Sequence, residues 1–94
     1  MPVIDTIAGY IPGLIGRVAE MHARYYAEHW GFGAFFEAKV ATELASFISG
    51  YNPARDRIWS VVLAGRVEGA ITIDGTSADD NVAHLRWFIV SDGL

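Results

Sequence analysis

The stretch Ala83-His84-Leu85-Arg86-Trp87-Phe88-Ile89-Val90-Ser91 decides the fold. It is apolar and aromatic almost throughout, and only Asp92-Gly93-Leu94 follows it. A strand this hydrophobic is normally enclosed within a sheet, because an uncovered edge invites pairing with another chain. The spacing predicts a last strand over Val82–Ser91 with nothing after it to cover its far side. Working backwards, Gly75-Thr76-Ser77-Ala78-Asp79-Asp80-Asn81 is a polar loop, and Val67–Asp74 sets Val67, Gly69, Ile71 and Ile73 against Glu68, Ala70, Thr72 and Asp74. Ile58–Ala64 is apolar on both faces, and Gly65-Arg66 separates these two runs as a short turn. The three runs together predict an antiparallel meander.

The earlier half has a different period. Leu14, Val18, Met21 and Tyr25 recur at helical spacing over Leu14–His29, with Arg17, Glu20, Arg24 and Glu28 on another face. Each Arg/Glu neighbour pair contributes only about 0.2–0.5 kcal/mol, so the apolar stripe must hold this helix in place. Gly31 and Gly33 interrupt the pattern around Phe32. A second helix carries Phe36, Val40, Leu44, Phe47 and Ile48 inward and Lys39 and Glu43 outward, and it stops at Gly50 ahead of Asn52-Pro53. Before the first helix, Val3–Ala8 reads as a short strand ended by Gly9, Pro12 and Gly13. The predicted order is β-α-α-β-β-β, an α+β class in one domain over residues 1–94.

Composition narrows the function classes. With 52% hydrophobic and 19% charged residues in a 94-residue chain, disorder is excluded and one core is the ceiling. The net charge is -4 and the Lys and Arg residues are scattered, so no footprint for nucleic acid or an anionic membrane is present. No apolar stretch approaches the roughly 20 residues of a membrane span. The start, Met1-Pro2-Val3-Ile4-Asp5, lacks the basic region of a signal peptide, and the expected location is cytoplasmic. Without cysteine there is no disulfide or thiol chemistry, and three dispersed His residues make no metal-ligand pattern.

Candidate chemistry is sparse. Tyr25, Tyr26, His29, Trp30, Phe32, Phe35 and Phe36 surround the link between the helices. They form either one wall of a small-molecule pocket or ordinary aromatic packing, and the sequence leaves both readings open. His84 and Arg86 share one face of the last strand if it alternates, where a role in proton transfer or anion binding competes with a solvated face. His22 and His29 lie on one side of the first helix and read as surface or helix-end residues without a third metal ligand. Asp79 and Asp80 read as turn formers. No serine stands in a Gly-x-Ser-x-Gly elbow, and neither phosphate-binding glycine loop is present.

Three segments carry a resemblance: Tyr10-Ile11-Pro12-Gly13-Leu14-Ile15-Gly16-Arg17, His22-Ala23-Arg24-Tyr25-Tyr26-Ala27-Glu28-His29-Trp30-Gly31-Phe32, and His84-Leu85-Arg86-Trp87-Phe88-Ile89-Val90. With the element order, they make the chain resemble the N-terminal half of a GNAT-superfamily N-acetyltransferase, in the version found alone or fused to MarR-type regulators. The resemblance implies acetyl transfer from acetyl-CoA to an amine of a small molecule or peptide. It implies that main-chain groups of Phe88, Ile89 and Val90, beside a bulge in the fourth strand, receive the pantetheine arm. It further implies that the acceptor passes Tyr26, Trp30 and Phe32. The catalytic base is not placed.

That family continues with an Arg/Gln-x-x-Gly-x-Gly/Ala loop whose backbone N–H groups hold the pyrophosphate at a helix start, a motif these 94 residues do not contain. The expectation is therefore a truncated half-domain, inactive by itself and binding acetyl-CoA weakly or not at all. Its last strand or uncovered sheet face is expected to drive homo-oligomer formation. The alternative is a small non-enzymatic module, dimeric or ligand-binding.

Overall fold

The helical and strand periods resolve into β1 (Ile4–Ala8), α1 (Leu14–Trp30), α2 (Ala34–Ser49), β2 (Arg57–Leu63), β3 (Arg66–Asp74) and β4 (His84–Val90). The structure, a computed structural model, describes residues 4–75 and 84–91. Asp79 and Asp80 lie outside the described residues. The sheet runs β1-β2-β3-β4, and each neighbouring pair is antiparallel. The class is α+β, as the element order predicts.

Both helices cover one face of the sheet. Leu14, Val18 and Met21 of α1 and Leu44 and Phe47 of α2 form one core with Ile58, Val67, Ala70 and Ile89 of the strands. Leu14 and Leu44 are completely buried, and each contributes on the order of 1.5–3 kcal/mol by leaving water. The helical stripe departs from the sequence reading at one point: Tyr25 is 45% exposed and His22 is buried in its place. Tyr25 shares the side of α1 that carries Val18, but it lies two turns further on, where the helix passes the end of β4 and the ring borders a surface hollow instead of the core. His22 is not the surface residue its composition suggested.

The hairpin turn also sits one residue earlier than predicted. Leu63 pairs with Arg66, leaving Ala64 and Gly65 as the two-residue loop, both at positive φ (52° and 78°). Two left-handed residues are what the twist of a tight hairpin demands. Arg66 thus begins β3 instead of closing the turn.

Two bulges break the alternation in the later strands. In β3, Val61 pairs with Gly69 and Val62 with Val67, so Glu68 is the extra residue. The strict alternation that groups Val67 with Ile71 and Ile73 fails for this reason: Ala70, Thr72 and Asp74 point at the helices and are buried, while the two isoleucines are half-buried on the other side. In β4, Ala70 pairs with Ile89 and Thr72 with Arg86, so Ile71 faces Trp87 and Phe88 together. Trp87 takes φ 48°, a left-handed conformation that a bulky side chain rarely adopts.

Strand β2 is anchored through Asp56, which accepts hydrogen bonds from the N–H of Asn52 (3.0 Å) and of Gly75 (2.9 Å). This ties the loop after α2 to the end of β3. A Cβ at Gly75 would lie 2.4 Å from the Arg55 carbonyl oxygen, so the junction closes only with glycine there.

Candidate functional site

The link between the helices is built by glycine. Gly31 takes φ 72° and ends α1, its N–H donating to Ala27 O at 3.1 Å, while the Phe32 N–H donates to Tyr26 O at 3.3 Å. Phe32 is thereby turned back onto the helix it follows. Its ring stacks near Tyr26 with centroids 5.8 Å apart and meets Phe36 of α2 at 5.1 Å, while Tyr26 and Phe36 lie 4.9 Å apart. Tyr26 and Phe32 are thus brought together as one aromatic group. Trp30, 67% exposed at the end of α1, stands outside it.

Below this group a cleft of about 320 Å³ opens between α1, α2 and the bulge of β4. Its walls are the rings of Tyr26, Phe36 and Trp87, with Val40 between them. The Trp87 ring lies 5.5 Å from Phe47 and carries the Arg86 guanidinium 4.0 Å above it. The bulge is what allows this, because the extra residue lets Arg86 and its neighbour Trp87 both turn toward the helices.

The charged groups at the cleft are paired. Glu43 accepts from Lys39 at 2.5 Å and from Arg86 at 3.3 Å, and Arg86 also donates to Asp74 at 2.8 Å. The hydrogen bond from Lys39 holds the Glu43 carboxyl below the usual carboxylate range. The helix pair Lys39–Glu43, legible in the sequence as an outward face, is therefore one half of a network reaching the last strand.

His22 closes the inner end. Its ring lies parallel to Tyr26 at 6.3 Å, and its Nδ1 is 2.8 Å from the Val18 carbonyl oxygen. A carbonyl only accepts, so Nδ1 carries the proton and Nε2 holds a free lone pair. Burial pushes the imidazole pKa down and so favours the neutral form, against the opposing effect of the hydrogen bond to the Val18 carbonyl.

Phe88, Ile89 and Val90 divide between the two faces. Ile89 is in the core, while Phe88 (59% exposed) and Val90 (49% exposed) stand on the face without helices, the face that also carries Leu85, Trp59 and Ile4. β4 is the edge strand, so its backbone beyond the bulge has β3 on one side and no strand on the other among the described residues.

No family model, curated protein or solved structure matches the chain.

A second, smaller hollow of about 140 Å³ lies where the end of β4 meets α1, beside Arg17, Tyr25, His29 and Ser91. Arg17 is the surprise of that region. Instead of serving only the charge ladder of its helix, it donates through Nε to Val67 O at 2.7 Å and pairs with the bulged Glu68 at 2.8 Å. Glu68 also accepts from the Ser91 hydroxyl, and that bond, followed by Arg17, lowers its carboxyl pKa. The group locks α1 to the sheet. Among the described residues no three His, Cys, Asp or Glu side chains are gathered to hold a metal ion, and no helix is long and apolar enough to cross a membrane.

Sequence reasoning missed His22, Glu43, Arg86 and Trp87 as neighbours. The signal for His22 was present: Val18, His22 and Tyr26 are four residues apart and fall on one side of a helix. Arg86 and Trp87 gave no such signal, since strict alternation puts them on opposite faces and only the bulge reconciles them.

Proposed function

We propose that this chain is the N-terminal portion of a GNAT-type N-acetyltransferase, with the acyl-donor arm running along β4 and the amine acceptor entering between α1 and α2. The observation that carries the reading is the bulge at Trp87–Phe88 in an edge strand, directly beside an aromatic cleft. A bulge splays the strand locally and frees backbone groups from the ladder, which suits an extended, amide-bearing ligand such as pantetheine. The element order and the packing of both helices on one sheet face agree with it.

In this reading Phe88, Ile89 and Val90 act through their main chain, and Tyr26 and Phe32 border the acceptor path, with Trp30 at its outer rim. Acetyl-CoA is the co-substrate. The glycine loop that would anchor its pyrophosphate is not in these 94 residues, so the chain alone is read as inactive.

The test is a titration of the isotope-labelled chain with acetyl-pantetheine and, separately, with acetyl-CoA. Both are expected to shift the amides of Phe88, Ile89 and Val90 weakly and with similar affinity, because the nucleotide part finds no anchor. Shifts confined to other regions, or none at all, overturn the placement of the arm. Tight stoichiometric binding of acetyl-CoA alone overturns the inactive reading.

The alternative, a non-enzymatic dimeric or ligand-binding module, draws on the uncovered sheet face formed by Ile4, Trp59, Leu85 and Phe88. It gains if Tyr26, Trp30 and Phe32 prove to be buried between copies of the chain.

A further inference from the structure

We infer that the cleft between α1, α2 and the β4 bulge is a binding site for a small, flat, uncharged aromatic molecule that donates one N–H or O–H hydrogen bond to Nε2 of His22. Three independent features lead there. The walls are rings: Tyr26, Phe36 and Trp87 offer faces and edges to a planar guest. The volume, about 320 Å³, exceeds the roughly 150 Å³ in which a benzene-sized molecule is held, and it lies at the lower end of the range for small-molecule pockets.

The third feature is the polar anchor. His22 is only 7% exposed, and its Nδ1 is committed to its own helix at Val18 O. Nδ1 points back to the backbone, so the opposite edge of the ring, with Nε2, faces the cleft that His22 lines. Nε2 has no hydrogen-bond partner among the described residues and is not one of the side-chain atoms shut off from solvent, so it opens to the cleft, where its lone pair still lacks a fixed donor. A ligand donor supplies it.

The same geometry selects against charge. Lys39, Glu43, Arg86 and Asp74 bring two positive and two negative groups that already neutralise one another through ion pairs. A charged guest would have to break one of those pairs, whereas a neutral one leaves them intact. The site needs no acyl donor and stands apart from the acyl-transfer reading; if that reading holds as well, it assigns the acceptor an aromatic ring.

The experiment compares indole with 1-methylindole, which has the same ring system but no N–H. Labelled protein is titrated with each while amide and imidazole nitrogen resonances are followed. Indole is expected to shift the amides around His22, Tyr26, Phe36, Val40 and Trp87 and to move the unprotonated Nε2 resonance. The 1-methyl compound is expected to bind roughly two- to tenfold more weakly, the usual value of one hydrogen bond.

The His22→Asn variant keeps a side-chain N–H within reach of Val18 O but has no Nε2, and it is expected to bind both compounds equally. Equal affinity of the two compounds for the unaltered chain, an unmoved Nε2 resonance, or shifts mapped elsewhere overturn the inference. The comparison on the unaltered chain decides even if the variant does not fold. No acyl compound is used, so this outcome and the fate of the β4 titration are separable.

Discussion

Replacing Thr72 with valine should make this protein more stable. Thr72 is fully buried in the middle of β3, paired with Ile58 on one side and Arg86 on the other, and its Oγ1 has no hydrogen-bond partner. A hydroxyl removed from water without a replacement bond costs about 1–3 kcal/mol. Valine keeps the branched shape and exchanges that hydroxyl for a methyl, while also suiting a strand. A net gain of about 1–2 kcal/mol follows, because the methyl must fit a space shaped by the slightly smaller oxygen.

For a domain of this size each kcal/mol moves the melting temperature by roughly 4–8 °C. Urea titration and calorimetry would measure it, with Thr72→Ser as the control. Serine retains the unpaired hydroxyl and loses the buried methyl, so it should cost about 1 kcal/mol. A Thr72→Val protein no more stable than the original would refute the reasoning, since it would mean that the hydroxyl is satisfied in solution.

Two further outcomes rest on other parts of the molecule. Burial lowers the His22 pKa in the folded state, so the unfolded chain takes up the proton first as pH falls. The contribution is fully present above the unfolded value near 6.5 and declines below it, by at most about 1.4 kcal/mol per pH unit, until the folded pKa is reached. The groups around that ring are Tyr26 on α1, Lys39 and Glu43 on α2 and Arg86 on β4; stability measured against pH in the His22→Asn variant should lose this slope, and an unchanged slope assigns it to another group.

The open sheet face is the second case. Ile4, Trp59, Leu85, Phe88 and Val90 are between 36% and 60% exposed there, and the chain is expected to self-associate at micromolar concentration. Sedimentation should show this reversed by Leu85→Lys with Phe88→Glu; a monomeric starting protein removes the idea.

The element order was legible because it depends on period. Leu14, Val18 and Met21 at helical spacing, and Ile58 to Val62 as an apolar run, place their elements without reference to any distant residue. Glycine marked the boundaries for the same local reason, as at Gly31. The turn at Ala64–Gly65 was harder, since alanine carries no signal for a left-handed position and takes one here only because strand pairing imposes it.

The candidate site followed a different rule. Tyr26 and Phe32 could be named from the aromatic cluster, but what they enclose depends on a strand that comes some fifty residues later in the sequence. The run from Ala83 to Ser91 determined by itself that a hydrophobic strand would form there, and the sheet order made it an edge. The resemblance implied a bulge in this strand, but only the tertiary structure decided that it falls at Trp87–Phe88, turns Trp87 and Arg86 toward the helices, and meets the buried face of His22. The reason is physical: periodicity is a property of neighbours along the chain, whereas a bulge, a paired charge network and a freed imidazole nitrogen are set by what lies across from them.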